Sequence, residues 1–314
     1  MSPSLEAVGL TKRFGSFTAL DHLNLKIEGA KCVGFLGPNG AGKTTTLKMF
    51  TDLIFPTEGE AFINGVCVQT DRKRALASCG DLIETPEIYP SLTPREALEM
   101  SGALRGMSPD EITNRTRAVL EEVKMSEWLD QKVGSFSKGM KQRINIAASL
   151  LSDPEVAILD EPSTGLDPRG MAEVRNIVRG LKRENRLIFM SSHILSEVVD
   201  VCDEVALINH GKLLFYDTLA SVTTRLNRTS TSVELAFVGP VSNETLEGPV
   251  ASAPGVASVS RVDAQRARIV ISGGPDAQAQ VLERLATAHL GLVSFEPSQS
   301  ALEELYLREI SKGD

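Results

Sequence analysis

Gly37-Pro38-Asn39-Gly40-Ala41-Gly42-Lys43-Thr44 follows directly on the run Lys31–Leu36, and Thr45, Leu47 and Met49 carry the chain on as a helix. An apolar strand that breaks into a glycine-rich turn and then enters a helix is the context a phosphate-binding loop needs. Gly37, Gly40 and Gly42 let the backbone fold tightly, so that successive N–H groups converge on an anion. Lys43 supplies a mobile positive charge, Thr44 a hydroxyl able to reach a magnesium ion, and the new helix its positive end. The stretch predicts a site for a nucleoside triphosphate.

Working outward, the 314-residue chain is long enough for one large domain and a small one. Its hydrophobic content of 42% and charged content of 24% are those of a globular protein. A net charge of −8 and a pI near 5.2 argue against general nucleic-acid binding, which needs a basic face to displace counterions. Cys32, Cys67, Cys79 and Cys202 show no Cys-x-x-Cys spacing, and Cys32 and Cys202 read as small core residues in a reducing compartment. No leader and no spanning apolar run is evident, so a role at a membrane would need another chain to cross it.

Residues 5–28 read as antiparallel β, with Leu23, Leu25 and Ile27 alternating with polar neighbours. Asn64-Gly65 between two short apolar runs is a hairpin signal. Thr93-Pro94-Arg95-Glu96 and Ser108-Pro109-Asp110-Glu111 are capping boxes that start helices, and a further helix is expected over 138–151. Val156–Leu159, Leu187–Met190 and Val205–Ile208 are buried-strand runs separated by helical patterns, an α/β sandwich built around the loop. The character changes at 218. After a linker over 219–230, residues 231–314 follow a β-α-β-β-α-β order, a small α+β ferredoxin-like domain, with the first helix interrupted by Gly248-Pro249. A last helix, Ala301–Ile310, carries an apolar stripe.

Two more constellations carry chemistry. Val156-Ala-Ile-Leu-Asp160-Glu161 ends a buried strand in two carboxylates, suited to a magnesium shell and to a water molecule respectively. Ser137 in Phe136-Ser-Lys-Gly139-Met-Lys-Gln-Arg143 is an N-cap beside a glycine, a second anion-binding helix start.

In this order, with Ser163-Thr-Gly-Leu-Asp167 and Ser191-Ser-His193 following, these motifs resemble the ATP-binding cassette of ABC transporters over about residues 5–218. Among them the chain is most similar to the bacitracin- and daunorubicin-resistance exporter ATPases. The resemblance implies a P-loop cassette with an antiparallel β subdomain, a RecA-like core and a helical subdomain. It implies ATP and Mg2+ as cofactors, a second copy of the cassette as partner and membrane permease subunits on separate chains. The location implied is cytoplasmic, on the inner face of the cell membrane, with no nucleic acid bound.

Carried residue by residue, the resemblance gives Phe14 the adenine-stacking position, where tyrosine is commoner. It gives Gly37, Pro38, Asn39, Gly40, Ala41, Gly42, Lys43, Thr44 and Thr45 the phosphates. Ser137 and Gly139 would touch the γ-phosphate of ATP held by the second copy, and Asp167 belongs to the segment that communicates across the pair. Thr44, Asp160 and Glu84 fall on magnesium, and Glu161, His193 and Lys43 on catalysis. Two positions depart from the common pattern. The signature reads Phe-Ser-Lys-Gly-Met, with Lys138 adding positive charge, and Glu84 replaces the usual glutamine. A carboxylate ~4 Å from a phosphate charge costs about 4 kcal/mol at an effective dielectric near 20, so Glu84 has to sit nearer magnesium than phosphate. Two other readings stay open: a soluble ABC ATPase acting on ribosomes or DNA, and an importer ATPase.

Overall fold

The structure, a computed structural model, describes residues 2–84, 86–182, 186–222 and 230–297. It divides into two compact units, Met1–Asp217 and Thr218–Asp314.

The first unit is built on two sheets. Strands β1 (Ser4–Phe14), β2 (Phe17–Glu28), β4 (Glu58–Ile63) and β5 (Val66–Cys67) form an antiparallel sheet in the order β2-β1-β4-β5. The alternation of β2 is what a one-sided sheet requires: Leu23, Leu25 and Ile27 are buried and the residues between them exposed. Asn64 and Gly65 both take positive φ, +49° and +73°, the pair a tight two-residue hairpin needs. The second sheet has the order β10-β9-β3-β8-β7-β6. It comprises β3 (Cys32–Leu36), β6 (Cys79–Leu82), β7 (Val156–Leu159), β8 (Leu187–Ser192), β9 (Glu204–Asn209) and β10 (Lys212–Thr218). From β6 to β9 every neighbour is parallel. Covered on both faces, β3, β7 and β8 are buried at every position, hence their continuous apolar runs.

Helix α1 (Lys43–Phe50) packs on this sheet through Phe50, whose ring meets Phe189 edge-on at 6.1 Å, while Phe35 lies 5.2 Å from the same ring. Behind β3, a Cβ at Gly34 would meet Val198 at 2.5 Å and the Cys202 Sγ at 3.1 Å, so glycine lets α7 (Leu195–Val201) lie close. Cys32 and Cys202 are buried there as expected. The helical subdomain holds α3 (Pro94–Leu104) and α4 (Pro109–Glu122), both with complete capping boxes, and α5 (Lys138–Leu150). Helices α2 (Arg72–Ala77) and α6 (Pro168–Leu181) complete the unit.

The second unit has the strand order β12-β13-β11-β14, the ferredoxin-like arrangement. Its strands are β11 (Ser230–Phe237), β12 (Val256–Arg261), β13 (Arg266–Ser272) and β14 (Leu292–Pro297). Val233, Leu235, Ala267, Ile269 and Ile271 form the inner face, closed by Val281 and Leu285 of the helix Pro275–Thr287. The first helix is not broken at Gly248-Pro249 but widened. Asn243–Thr245 is helical, and Leu246–Val250 continues as a π-turn in which the Ala251 N–H donates to the Leu246 carbonyl at 2.9 Å. The wider turn accommodates a proline that has no N–H to give. The helix expected over 301–310 lies outside the described residues.

Candidate nucleotide site

The loop leaves β3 at the C-terminal edge of the parallel sheet. At Gly37 a Cβ would run into the Ile208 carbonyl oxygen, and Gly42, at φ +104°, would bring one within 2.6 Å of the Ala19 carbonyl. These two positions demand glycine. Gly40, at φ +80°, faces open space, and Asn39 beside it is exposed at the loop tip. Gly42 caps α1 without offering a side-chain acceptor, which leaves the first-turn N–H groups to an outside anion. Ala41 is buried and its carbonyl takes the Gly211 N–H, anchoring the loop to the β9–β10 turn.

Lys43 is 5% exposed, and its ammonium curls inside the loop. It donates to the carbonyls of Gly37 at 2.8 Å and Pro38 at 3.1 Å, and faces Glu161 Oε1 at 3.4 Å. A cation held on carbonyls and one carboxylate within an open loop has the setting of a phosphate-binding lysine. Thr44 Oγ1 donates to Asp160 Oδ1 at 3.2 Å, bringing two hard oxygens together beside that loop. This donor set suits magnesium, which takes one or two protein oxygens besides phosphate and water.

Asp160 and Glu161 follow β7. Asp160 is buried and also accepts the Ser191 hydroxyl at 2.6 Å. Glu161 takes the left-handed region at φ +43°, an unusual conformation for a side-chain-bearing residue, and its N–H donates to Ser191 Oγ at 2.9 Å. Its Oε2 accepts from Thr164 Oγ1 at 2.9 Å and lies 3.0 Å from His193 Nδ1. Burial pushes the Glu161 carboxyl up, but the Thr164 hydroxyl, His193 and Lys43 together outweigh it and hold it below the usual carboxylate range. His193 stands immediately after β8, half-buried over this carboxylate. Lys43, Thr44, Asp160, Glu161 and His193 are therefore brought into one constellation.

The remaining expected side chains make other contacts. Ser137 caps α5, its Oγ accepting the Met140 N–H at 3.2 Å, and a Cβ at Gly139 would meet only ordinary contact. The Lys138 ammonium reaches the space that a Cβ at Gly165 would fill, and buried Gln142 donates to the Pro162 carbonyl at 2.7 Å. The signature helix is thus tied to the loop after Glu161. Asp167 caps α6 through the Gly170 N–H at 2.7 Å. Phe14 is 51% exposed at the tip of the β1–β2 hairpin, with the Lys12 ammonium 5.1 Å from its ring centroid. Glu84 is 68% exposed at its side chain, takes φ +58°, and accepts from Lys48 Nζ at 2.6 Å, a contact the sequence did not foretell.

Sequence reading missed Ser191, Glu197 and Lys48. Glu197 is buried and accepts Ser163 Oγ at 2.6 Å and Ser192 Oγ at 2.9 Å, joining α7 to two loop segments. The available signal was a hydroxyl pair closing an otherwise apolar strand.

Residues 20–164 match the family described as ABC transporter. The bacitracin transport ATP-binding protein BcrA of Bacillus licheniformis is 43% identical over 215 residues, 68% of this chain and 69% of that one. The linearmycin resistance ATP-binding protein LnrL of Bacillus subtilis is 30% identical over 307 residues, 96% of this chain and 97% of its own length. The chain belongs to the ABC transporter ATP-binding family. A solved ATP-binding subunit of an ABC transporter superposes with a TM-score of 0.62 at 29% identity, covering 70% of this chain and 92% of that one. The cassette is the ATP-binding and ATP-hydrolysing subunit of an ABC exporter.

Proposed function

We propose that the cassette works as a magnesium-dependent pair, two copies closing on two ATP molecules to drive permease chains from the inner face of the cell membrane. The observation that carries this reading is the convergence of Lys43, Thr44, Asp160, Glu161 and His193 on one loop end, while Ser137 caps a separate helix with Gly139 in its first turn. A second anion-binding helix start that donates nothing to its own phosphate loop suits a site completed by another copy. Among the described residues no helix is long and apolar enough to cross a membrane, which fits a subunit that depends on separate permeases. The names of the relatives, bacitracin transport and linearmycin resistance, support a drug-like cargo recognised by those permeases.

Within this reading Lys43 leaves the Gly37 and Pro38 carbonyls for the β/γ-phosphates, with the loop's N–H groups around them. Phe14 stacks on the base with the ring face that Lys12 leaves open. Thr44 and Asp160 hold magnesium, which when bound neutralises charge developing on the transferred phosphoryl group. Glu161 accepts a proton from the attacking water and His193 orients that carboxylate and the γ-phosphate. Glu84 reaches magnesium only by leaving Lys48. The test is co-purification with a multi-span membrane protein after detergent extraction, with ATPase rate and oligomeric state measured together. A soluble monomer with no membrane partner and no ATP-dependent pairing overturns the proposal.

A further inference from the structure

We propose that Ser191 is the positioning residue that sets Asp160 and Glu161 together. This inference rests on the reading of Asp160 as a magnesium-side ligand and Glu161 as the base. Ser191 is fully buried, at 0% exposure, on β8, paired with Phe35 of the central strand and one residue beyond the Leu159–Met190 pair that ends the β7 pairing. Its single hydroxyl works in both directions. It donates to Asp160 Oδ1 at 2.6 Å and accepts the Glu161 N–H at 2.9 Å.

The physical case concerns what each bond fixes. Asp160 Oδ1 has two protein donors, Thr44 and Ser191. Thr44 would turn to the same metal, which leaves Ser191 as the buried donor that holds the carboxylate. Glu161 sits at φ +43°, a backbone state that side-chain-bearing residues hold only when the surroundings enforce it. The bond from its N–H to Ser191 enforces it, and that twist delivers Oε2 to Thr164 and His193. Without the hydroxyl a backbone N–H at this turn loses its acceptor, and the turn can relax toward an ordinary conformation. Placed on β8 two residues before His193, which follows the strand, Ser191 also makes the position of β8 felt at both carboxylates. A shift of that strand changes the metal side and the base at once.

The test uses Ser191→Ala and Ser191→Thr in the full chain, the first removing the hydroxyl from a buried site without adding bulk. ATP binding is measured with a fluorescent analogue in EDTA and across a magnesium titration, alongside kcat and KM. For Ser191→Ala we expect unchanged binding in EDTA and a magnesium half-point about 10-fold higher. We also expect kcat lower by about 10–100-fold at a KM within threefold, a split that generally loosened packing does not produce. Recovery of the magnesium half-point in Ser191→Thr supports the assignment. An unchanged half-point and kcat in Ser191→Ala overturn it, as does equal loss of binding with and without magnesium. Asp160→Asn is the control: a half-point that stays put there overturns the magnesium reading on which the inference rests, separately from the role of Ser191.

Discussion

The two units of the chain differ in what they bury. In the first, charged and polar side chains go inside at the phosphate end of the sheet: Lys43, Asp160, Ser163, Ser191, Ser192 and Glu197 are all buried. In the second, Ser232 is the one buried polar side chain among the described residues, and the core is otherwise aliphatic with one phenylalanine. Desolvating polar groups is costly unless each finds a partner, so a cluster of them is a feature that packing alone does not produce. The first unit gathers these groups at the candidate site, whereas the described residues of the second form no comparable network.

That contrast is sharpest at Glu161. Glu161→Gln keeps the shape and the Thr164 contact but removes the basic oxygen, so turnover should fall by ~10²–10⁴ with ATP binding retained. Near-normal hydrolysis by this variant assigns the base elsewhere and removes the chief distinction of the first unit. Next in size is Lys43→Ala, which takes away the cation inside the loop and should weaken ATP binding by about 100-fold, read by equilibrium titration. Retained affinity would break the site assignment.

Thr164→Val tests the electrostatics. The hydroxyl is among the groups holding the Glu161 carboxyl below its usual range, so its loss raises that carboxyl's pKa. Activity requiring the ionised form should then disappear at a higher pH as the solution is acidified, seen as an upward move of the acid limb of the rate profile. A downward move contradicts the sign. In the second unit, Ile269→Ala opens a fully buried position and should cost about 2–5 kcal/mol of that unit's stability. ATP affinity should stay within about twofold, and a larger change would show the two units to be coupled after all. The smallest effect is expected at Glu84→Gln, where an exposed ion pair with Lys48 contributes under about 1 kcal/mol to stability. Chemical denaturation of wild type and variant should therefore nearly coincide, whatever happens to magnesium dependence.

Much of this was legible in the sequence for identifiable reasons. Capping boxes at Thr93 and Ser108 are local, so four residues suffice to predict them. The buried runs of β3, β7 and β8 declare themselves because parallel strands covered on both faces have no polar side. The phosphate loop is legible because its glycines answer to backbone geometry within eight residues. What stayed hidden depends on distance in the chain. Ser191 meets Asp160 only when two strands align, and Lys48 meets Glu84 across a loop and a helix. The π-turn at Leu246–Val250 was missed for another reason: proline reads as a stop, although a widened turn can carry it.

The strand that leads into the phosphate loop has its own consequence for how the chain comes into being. Cys32 of β3 lies against Ile188 of β8 on one side, and Val33 against Glu204 of β9 on the other. Both neighbours are synthesised far later, so on the ribosome β3 emerges as an apolar segment without either flank. Pairings this distant in sequence form slowly, because the intervening chain must first be gathered in. At ~5–20 residues per second, the loop's supporting sheet stays incomplete for many seconds of translation. A cassette interrupted before β9 therefore leaves its nucleotide loop without a floor and its most apolar strands open to aggregation.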